Sequence, residues 1–427
     1  MVRLNIVKSI ANVPANARNE VAEAVHVFRY GSGIEPTVSS EVTPETPLEE
    51  LNLNWGERDL PESVRTKHVH RLHPYLGKYI PQLVEVFLRK FFLPGQWVAD
   101  PFAGSGTTLV QANELGILST GFDVSAFNVL LARAKVSKCD PLLLESEVNQ
   151  AIRSSQEIFD DNNAILPGLL PEVRAQSTHK ESSEYLEAWF HPRALRQLLA
   201  FRKSIELAHP AVNDLLYVIL CRAARSARLT THFDLDFPRK PTTEPYYCHK
   251  HSRVCRPTED ASKFLRRYAA DTVRRVNEFQ QLRTNVRTEV VHADSREALL
   301  PKIHGIITSP PYVGLIDYHA QHEYAYHLLG LEDCRTQEIG SATAGTSTAA
   351  KAKYVDDIVC VFRRFLDVMP LGGPLIIIAG DRHNLYPIIA SRLGVAVEAE
   401  IQRHVNRRTG RRGNAFYESV FIWRKVE

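Results

Sequence analysis

The sequence lacks any apolar run long enough to cross a bilayer, so we expect no membrane-spanning segment. Its six cysteines are scattered without the spacing of a disulfide framework, which predicts a protein of the reducing cytoplasm. The first 19 residues contain no acidic residue, but they also lack the apolar core of a secretory signal. Secreted and membrane proteins are therefore the classes that the sequence disfavours most.

The chain also lacks a strong excess of either charge, with 52 basic and 49 acidic residues among 427. Local charge is more informative, because residues 222–275 hold 13 Lys and Arg against 6 Asp and Glu. This regional excess is larger than the net charge of the whole chain, +3, and predicts a confined basic surface that could bind a polyanion.

A glycine-rich turn follows the first predicted strand of a sheet. Residues 96–99 end a short apolar segment, and residues 109–115 have helical spacing. Between them lies Asp100-Pro-Phe-Ala-Gly-Ser-Gly-Thr-Thr108, whose small residues would let a ligand approach the backbone and the helix N-terminus. This combination is typical of the nucleotide-binding corner of doubly wound sheets, although similar turns also occur without a ligand.

Strands and helices alternate through most of the remaining chain. Apolar segments predict further strands at 117–123, 286–291, 303–308 and 374–379, and a closing antiparallel pair at 395–403 and 415–424. Helical periodicity predicts helices at 80–92, 125–137, 184–207, 212–229 and 262–282. The low complexity of residues 341–352 predicts a mobile loop. The pattern as a whole predicts an α/β sheet with one added helical lobe.

The points where this alternation stops suggest domain boundaries. Residues 1–64 form an N-terminal extension of irregular pattern, with one strand or short helix expected within 21–30. Residues 65–139 and 286–427 would supply the two parts of the sheet. Residues 140–285 would form an inserted, mainly helical domain and are our candidate for recognition of a target.

A second motif, Thr308-Ser-Pro-Pro-Tyr312, follows the predicted strand at 303–308. Its two prolines fix the backbone and remove two amide donors, so that the carbonyls of the turn can only accept hydrogen bonds. Ser309 adds a hydroxyl acceptor and Tyr312 adds a flat ring. Alone, this stretch would be interpreted as a proline-stiffened turn. Its place in the same sheet as the glycine corner favours a pocket for a planar group with an exocyclic amine.

Together the two motifs resemble those of the DNA methyltransferases that use S-adenosylmethionine to methylate N4 of cytosine or N6 of adenine. The Ser-Pro-Pro-Tyr form is similar to the N4-cytosine branch, whereas adenine enzymes usually carry Asp or Asn before the prolines. Residues 73–81 resemble the family's helix that closes over the methionine end of the cofactor. The resemblance covers roughly residues 73–135 and 286–330. It differs from many family members in motif order, because here the catalytic tetrapeptide follows the glycine corner.

The resemblance implies a fold and a set of site residues. The fold is a Rossmann-like class I methyltransferase sheet with helices on both faces and an inserted helical domain. The implied catalytic residues are Ser309, Pro310, Pro311 and Tyr312. The implied contacts to S-adenosylmethionine are Lys78, Tyr79, Asp100, Phe102, Gly104, Ser105, Gly106, Thr107, Thr108, Asp123 and Asp294. Among them Phe102, Gly104 and Gly106 would line the methionine part. Asp123 would bind the ribose and Asp294 the adenine amine, with strand-end capping as the alternative for these two aspartates.

The implied reaction is an in-line methyl transfer to cytosine N4, assisted mainly by positioning. The base would have to be flipped out of the duplex or already single-stranded. Methylation at C5 would instead need a cysteine that follows a proline, and none of the six cysteines does.

Candidate DNA contacts lie in the basic region and in a later arginine cluster. Arginines at three-residue spacing could track phosphates along one helix face, or they could form a salt network on the helix surface. The candidates are Arg222, Arg225, Arg228, Arg239, Lys240, Tyr246, Tyr247, Arg253, Arg407, Arg408, Arg411 and Arg412. The segment Cys248-His-Lys-His-Ser-Arg-Val-Cys255 holds four residues of zinc-ligand type, but six residues separate its cysteines. We therefore interpret it as a basic recognition loop and predict no metal, with zinc binding as the alternative.

These observations predict a cytosine-N4 DNA methyltransferase that acts on double-stranded DNA with a flipped base, as found beside restriction enzymes or in phage defence. A cognate restriction endonuclease would be a separate protein, because the sequence shows no nuclease motif. The alternatives are an N6-adenine DNA methyltransferase, an RNA amino-methyltransferase and a catalytically silent nucleic-acid-binding subunit. The intact tetrapeptide speaks against the last of these.

Overall fold

The structure is a computed structural model that describes residues 26–28, 35–75, 79–164, 180–232, 234–235, 238–314, 318–341, 345–405 and 416–427. Within these residues the α-helices are α1 Glu62–Arg65, α2 Pro81–Phe91, α3 Thr107–Glu114, α4 Ala126–Val136, α5 Pro141–Ala164, α6 Lys180–Trp189, α7 Pro192–Ile205, α8 Asn213–Ala227, α9 Ser262–Gln280, α10 Tyr318–Leu329, α11 Thr348–Asp367 and α12 Tyr386–Leu393. The strands are β1 His26–Phe28, β2 Trp97–Asp100, β3 Leu118–Asp123, β4 Tyr246–Cys248, β5 Arg253–Cys255, β6 Thr288–His292, β7 Gly305–Thr308, β8 Pro374–Ala379, β9 Ala396–Val405 and β10 Phe416–Arg424. Short 3-10 helices cover Ser39–Glu41, Leu48–Glu50, His68–Arg71, Pro210–Val212 and Arg335–Gln337.

One large sheet organises the described part of the chain. Its eight strands lie in the order β1-β9-β10-β8-β7-β2-β3-β6, and among them only β10 runs against the others. From β2 the chain moves outward to β3 and β6, and it then returns to β7 on the other side of β2. The strand order therefore reverses between β2 and β7. In open α/β sheets, ligands bind at the carboxyl ends of the strands where such a reversal occurs.

Alternating side chains of the central strands enter two hydrophobic cores, one on each face of the sheet. In β7, Ile306 belongs to one core and Ile307 to the other, and in β8 the same holds for Ile377 and Ile376. Helix α11 packs on the Ile306 face, and α2 packs on the Ile307 face. Strands that are buried on both faces require near-continuous apolar runs, which explains why these segments could be identified in the sequence. The α/β sheet with helices on both faces agrees with the predicted fold class.

The helices of residues 140–285 form a further layer. Their buried side chains belong to a core that also contains Phe127 and Leu131 of α4 and Tyr324 of α10. The segment thus shares its core with helices that flank the sheet. Its status as a domain in its own right stays a prediction.

Two predicted elements differ in the structure. The single helix predicted at 184–207 consists of two helices, α6 and α7, because Pro192 has no amide hydrogen to continue a helix and instead occupies the first position of α7. The loop predicted at 341–352 becomes helical at Thr348. There the Ser347 hydroxyl accepts a hydrogen bond from the Ala350 amide at 3.1 Å and caps α11.

The described part of the N-terminal extension packs against the sheet. Strand β1, within the segment where a strand or short helix was expected, pairs in parallel with β9 at the sheet edge. Leu51 and Leu53 are fully buried in the core under α2. The Trp55 indole donates a hydrogen bond to the Thr37 carbonyl at 2.9 Å. The irregular sequence pattern of this region gave no sign of this packing. Among the described helices, none combines the length and hydropathy needed to cross a membrane.

Candidate active site at the carboxyl ends of β2 and β7

Strands β2 and β7 are neighbours, so the two sequence motifs leave the sheet side by side. Ala99 pairs with Ile306 in parallel register, and Asp100 and Thr308 therefore end the two strands at the same edge. The Thr308 hydroxyl donates a hydrogen bond to Asp100 Oδ1 at 2.6 Å. The glycine corner and the Ser-Pro-Pro-Tyr turn, about 200 residues apart in sequence, thus meet at one point of the fold.

Asp100 is a fully buried carboxylate that joins both motifs. Besides Thr308, the hydroxyls of Thr108 and Tyr79 donate hydrogen bonds to its Oδ2, at 2.7 and 2.8 Å. Its Oδ1 also accepts a hydrogen bond from the Phe102 amide at 3.1 Å. Burial raises the pKa of Asp100, and these hydrogen bonds oppose the shift. The Asp100 side chain of β2 therefore contacts β7, α3 and Tyr79, which lies just before α2.

A cavity opens in front of this junction and is lined by both motifs. Seven of the eleven predicted cofactor residues line it, namely Tyr79, Phe102, Gly104, Ser105, Thr107, Asp123 and Asp294. Ser309 and Pro311 of the second motif line the same cavity. Lys78 lies outside the described residues.

Three predicted cofactor residues, Asp100, Gly106 and Thr108, do not line the cavity. Thr108 directs its hydroxyl at Asp100. Gly106 has a φ of 78°, and a Cβ atom there would lie 3.0 Å from Ala132 Cβ of α4. Glycine at this position therefore permits the close packing of two helices rather than the approach of a ligand. In the structure these three residues support the turn, and their predicted contact with the cofactor stays a prediction.

Gly104 and Asp123 form the centre of the cavity wall. Gly104 has a φ of 48°, and a Cβ atom there would lie 3.2 Å from Tyr75 Oη. Its amide donates a hydrogen bond to Asp123 Oδ2 at 2.8 Å. Asp123 Oδ1 accepts from the Ser125 amide at 2.8 Å and from Asn128 Nδ2 at 3.1 Å, and so holds the turn that leads into α4. Burial raises the pKa of Asp123 to about 6 against these hydrogen bonds. Oδ2 still has room for a second donor from the cavity.

Asp294 lines the cavity, but its carboxylate already has a strong partner. The Arg296 guanidinium donates to both Asp294 oxygens, with its shortest contact at 2.6 Å, and it also reaches Asp357 at 2.9 Å. Burial alone would raise the pKa of Asp294, but the Arg296 contacts hold this pKa below its usual range. An adenine amine bound here would have to share the carboxylate with Arg296.

The Ser309–Tyr312 turn separates this cavity from a second one. Ser309 and Pro311 line the first cavity, Pro310 is buried, and Tyr312 lines the second. The second cavity is also lined by residues that follow β8 and by Phe416 at the start of β10. The four predicted catalytic residues thus lie between two adjoining cavities.

Tyr312 is held by contacts that reach into the antiparallel edge of the sheet. Its hydroxyl donates a hydrogen bond to Glu418 Oε1 at 2.9 Å, and its ring centroid lies 6.5 Å from that of Phe416. Glu418 in turn lies 3.4 Å from the buried guanidinium of Arg403. These contacts hold the Tyr312 side chain in place at the wall of the second cavity.

Two residues near the first cavity were missed in the sequence analysis. The buried Lys135 of α4 donates a hydrogen bond from Nζ to the Ser105 carbonyl at 2.7 Å and so fixes the glycine turn. A lysine among the apolar residues of the predicted helix at 125–137 was the available signal. Tyr75 lines the cavity and stacks on His322 with a centroid distance of 5.6 Å. No short motif connects these two residues.

Two of the predicted DNA contacts on α8 are buried. Arg222 pairs with Asp271 of α9 at 2.6 Å. Arg228 donates a hydrogen bond to the Leu235 carbonyl at 2.5 Å and lies 4.5 Å from the centroid of the Tyr324 ring. Both side chains thus turn toward neighbouring elements, Arg222 toward α9 and Arg228 toward α10. The contacts of Arg222 are those of the salt-bridge alternative and Arg228 packs on an aromatic ring, so a phosphate contact by either residue stays a prediction.

The other predicted DNA contacts divide into three groups. Arg225 is half-buried on α8, and Tyr246 is half-buried in β4. The exposed members are Arg239, Lys240, Tyr247 and Arg253. The members outside the described residues are Arg407, Arg408, Arg411 and Arg412.

Comparisons with known proteins agree with the motif pair. The family model described as a DNA methylase matches residues 49–133. The chain is 34% identical to the Type II methyltransferase M.MjaII of Methanocaldococcus jannaschii over 433 aligned positions, which cover 85% of this chain and 81% of the relative. It is 31% identical to the Type II methyltransferase M.MvaI of Kocuria varians over 23% of each chain. It is 22% identical to the Type II methyltransferase M.BsoBI of Geobacillus stearothermophilus over 68% of this chain and 58% of the relative.

Among solved structures, TrmN from Thermus thermophilus aligns over 82% of this chain and 50% of its own, at 13% identity and a TM-score of 0.29, which is too low to support any conclusion. The match to M.MjaII extends over most of both sequences and is the decisive one. On this evidence the chain belongs to the Type II DNA methyltransferases, in the DNA methylase family that modifies amino groups of bases.

Proposed function

We propose that this chain transfers the methyl group of S-adenosylmethionine to the exocyclic N4 of cytosine in DNA, and that it protects sites from a restriction endonuclease carried on another chain. The observation that carries the proposal is the position of the Ser309–Tyr312 turn between two cavities. A methyl donor in the first cavity and a flipped base in the second would meet at this turn.

The first cavity has the chemistry that S-adenosylmethionine requires. The bare backbone of Gly104 lets a ligand approach beside Tyr75, where a side chain would be crowded. Asp123 can accept hydrogen bonds from ribose hydroxyls through Oδ2. Phe102 and Ile339 provide apolar surface for an adenine ring. When bound, the cofactor would supply a methyl group on a positively charged sulfur.

The turn would activate the amine by positioning its hydrogens. The lone pair of cytosine N4 is delocalised into the ring, so the amine is a poor nucleophile in its planar form. The Ser309 hydroxyl and the Pro310 carbonyl would accept its two N–H hydrogens and draw them out of the ring plane, which localises the lone pair on N4. That lone pair would form the new N–C bond as the bond between the methyl carbon and the sulfonium sulfur breaks, the sulfur would leave as a neutral thioether, and one N–H proton would then leave to solvent. Holding the amine in line with the methyl group supplies most of the rate enhancement.

The second cavity would hold the flipped base. A base stacked in a duplex cannot reach the turn, so it must be extruded into a pocket. Tyr312 and Phe416 offer aromatic surface there, and Arg382 lies 5.5 Å from the centroid of the Phe416 ring. Gly380 leaves space beside Phe416, because a Cβ atom at this position would lie 3.2 Å from that ring. A flat base stacked on Tyr312 would present its amine to Ser309.

Nucleoside analysis tests the proposal directly. The purified chain would be incubated with labelled S-adenosylmethionine and unmethylated plasmid DNA, and the digested DNA would be separated into nucleosides. We expect label in N4-methylcytosine. Label in N6-methyladenine would refute the cytosine assignment, label found only with an RNA substrate would refute the DNA assignment, and no transfer to either would indicate a silent subunit. The choice of cytosine rests on Ser309 at the position where adenine enzymes usually carry Asp or Asn.

We expect the affinity for S-adenosylmethionine to increase as the pH rises through about 6. Asp123 must be ionised for Oδ2 to act purely as an acceptor, and its pKa is raised to about 6 by burial. Below that pH, Kd should increase by up to about tenfold per pH unit. In the cofactor-free protein the same raised pKa favours folding at low pH, a contribution that is lost as the pH rises through about 6. Calorimetric titrations from about pH 5 to 8 measure the effect, and Asp123→Asn should abolish the pH dependence. A wild-type Kd that is constant over this range would contradict the ribose contact.

We expect Arg253→Ala to weaken DNA binding without lowering stability. Arg253 is exposed on β5, so its removal should reduce the slope of log Kd against log salt by about 1. Arg287→Ala is the matched control, because Arg287 is exposed at the amino end of β6, opposite the cavity edge. Arg222→Ala should instead lower the free energy of unfolding by about 2 kcal/mol, since it removes a buried side chain that pairs with Asp271 and donates a hydrogen bond to Thr272, while Asp271 keeps Arg275. If Arg253→Ala left the salt dependence of DNA binding unchanged, strands β4 and β5 would not be part of the surface that binds DNA.

A further inference from the structure

Two cysteines and two histidines meet outside the site described above. Strands β4 and β5 form an antiparallel hairpin, and Cys248 and Cys255 are buried on the same side of it. His251 lies in the turn of the hairpin, and His232 comes from the segment after α8. One ligand atom of each of these four residues, the Cys2His2 cluster, lies within 4.8 Å of all the others.

The separations within the Cys2His2 cluster match those around a tetrahedral zinc ion. Cys248 Sγ lies 3.5 Å from His232 Nδ1 and 3.6 Å from His251 Nδ1, and Cys255 Sγ lies 3.4 Å from His251 Nδ1. Zn–S bonds of about 2.3 Å and Zn–N bonds of about 2.0–2.1 Å place tetrahedral sulfur and nitrogen ligands about 3.6 Å apart. Thiol hydrogen bonds explain the cluster less well, because His251 Nδ1 faces two sulfurs but has one lone pair when neutral.

The hairpin has almost no hydrophobic core to stabilise it. From residue 243 to residue 256, a stretch that the structure describes throughout, the buried residues are Cys248 and Cys255. A two-stranded hairpin of this size is marginally stable in water by itself. Its turn also contains Ser252 with a φ of 50°, a conformation that costs free energy in a residue other than glycine. A cross-link between the two strands and the preceding segment would offset both deficits.

We propose that His232, Cys248, His251 and Cys255 bind one Zn²⁺ ion in a closed structural site. Four protein ligands leave no open coordination position, so the ion would stabilise the hairpin without taking part in methyl transfer. Binding would release two thiol protons, and the two thiolates would neutralise the charge of the ion. The Tyr246 hydroxyl, 2.9 Å from His232 Nδ1, would give up that contact and keep the hydrogen bond from the His232 amide at 3.1 Å.

The spacing of the cysteines in the sequence does not predict this site. Six residues separate Cys248 from Cys255, which is too many for a cysteine pair of a zinc finger. The turn places His251 beside Cys248, with the His251 amide donating a hydrogen bond to the Cys248 carbonyl at 3.1 Å. The fourth ligand, His232, lies 16 positions before Cys248 in the sequence. The site is independent of the proposed reaction, although it would fix the hairpin on which Tyr247 and Arg253 are exposed.

The metal content of the full-length protein tests this proposal. We expect about one zinc per chain by inductively coupled plasma mass spectrometry after purification under reducing conditions. Cys248→Ser and Cys255→Ser should lose the metal, whereas Cys360→Ser should keep it, because Cys360 is an exposed cysteine on α11. Wild-type protein that holds no zinc after reduction and reconstitution with Zn²⁺ overturns the proposal. So does full zinc occupancy in both cysteine variants.

Cobalt substitution and proteolysis of the wild-type protein test the zinc site even if the cysteine variants fail to fold. Wild-type protein loaded with Co²⁺ should show thiolate-to-cobalt charge transfer and the intense d–d bands of a tetrahedral site, and weak octahedral bands would overturn the proposal. Removal of zinc by a chelator should increase tryptic cleavage after Lys250 and Arg253, both exposed on the hairpin. A metal-free protein with a disulfide between Cys248 and Cys255 would also contradict it.

Discussion

Ser309→Ala should lower the rate of methyl transfer by about 100-fold or more while the affinity for S-adenosylmethionine changes little. In the proposed reaction the Ser309 hydroxyl accepts one of the two N–H hydrogens of the amine, and the Pro310 carbonyl accepts the other. The rate would be measured in single turnovers with labelled donor, and the affinity by calorimetry. Ser391→Ala is the matched control, because Ser391 is exposed on α12. A Ser309→Ala rate within about twofold of the wild type would show that the amine is bound elsewhere.

Substitutions of Tyr312 separate the role of its ring from that of its hydroxyl. Tyr312→Ala should slow transfer strongly, because stacking of a base on an aromatic ring is worth about 1–3 kcal/mol. Tyr312→Phe keeps the ring and loses the hydroxyl that donates a hydrogen bond to Glu418, so its effect should be much smaller. Tyr417→Ala is the control, because Tyr417 precedes Glu418 in β10 and its ring is exposed. Equal losses in the alanine and phenylalanine variants would argue against stacking.

Asp100→Ala should lower the free energy of unfolding by about 3 kcal/mol or more and abolish methyl transfer as a consequence. Removal of this buried carboxylate leaves the hydroxyls of Tyr79, Thr108 and Thr308 without their common acceptor. Asp100→Asn keeps one acceptor oxygen and should cost less. Denaturant unfolding followed by circular dichroism measures the difference.

The control for this variant is Asp367→Ala, at an exposed position at the end of α11. It should change the free energy of unfolding by no more than about 0.5 kcal/mol. If Asp100→Ala were as stable as this control, the buried carboxylate would not be the group that holds the two motifs together.

The fold was largely predictable because its central strands are buried on both faces and therefore carry unbroken apolar runs. The strand predicted at 374–379 is observed with the same limits as β8, and the closing antiparallel pair is observed as β9 and β10. The break between α6 and α7 was missed because the helical periodicity continues across Pro192. The packing of residues 35–60 was missed because segments without regular structure carry no periodicity.

The candidate site was predictable only where one short stretch of chain supplies several of its residues. The glycine corner and the Ser309–Tyr312 turn are of this kind. Glu418 and Lys135 act through contacts between distant elements, and no local pattern indicates their partners, although the lysine among apolar residues of a predicted helix was a sign of its burial. The arginines of α8 show the opposite failure, since a regular spacing predicts a shared face but not whether that face meets solvent or another helix. The Cys2His2 cluster likewise depends on the fold, which brings His232 to the hairpin.

A crystal structure of the chain with S-adenosylhomocysteine tests the meeting of the two motifs most directly. We expect the ribose on Asp123 and the homocysteine portion between Gly104 and Ser309, with its sulfur facing the turn that leads to Tyr312. Binding in any other cavity, or a sulfur directed away from Ser309, would contradict a reaction at the boundary of the two cavities.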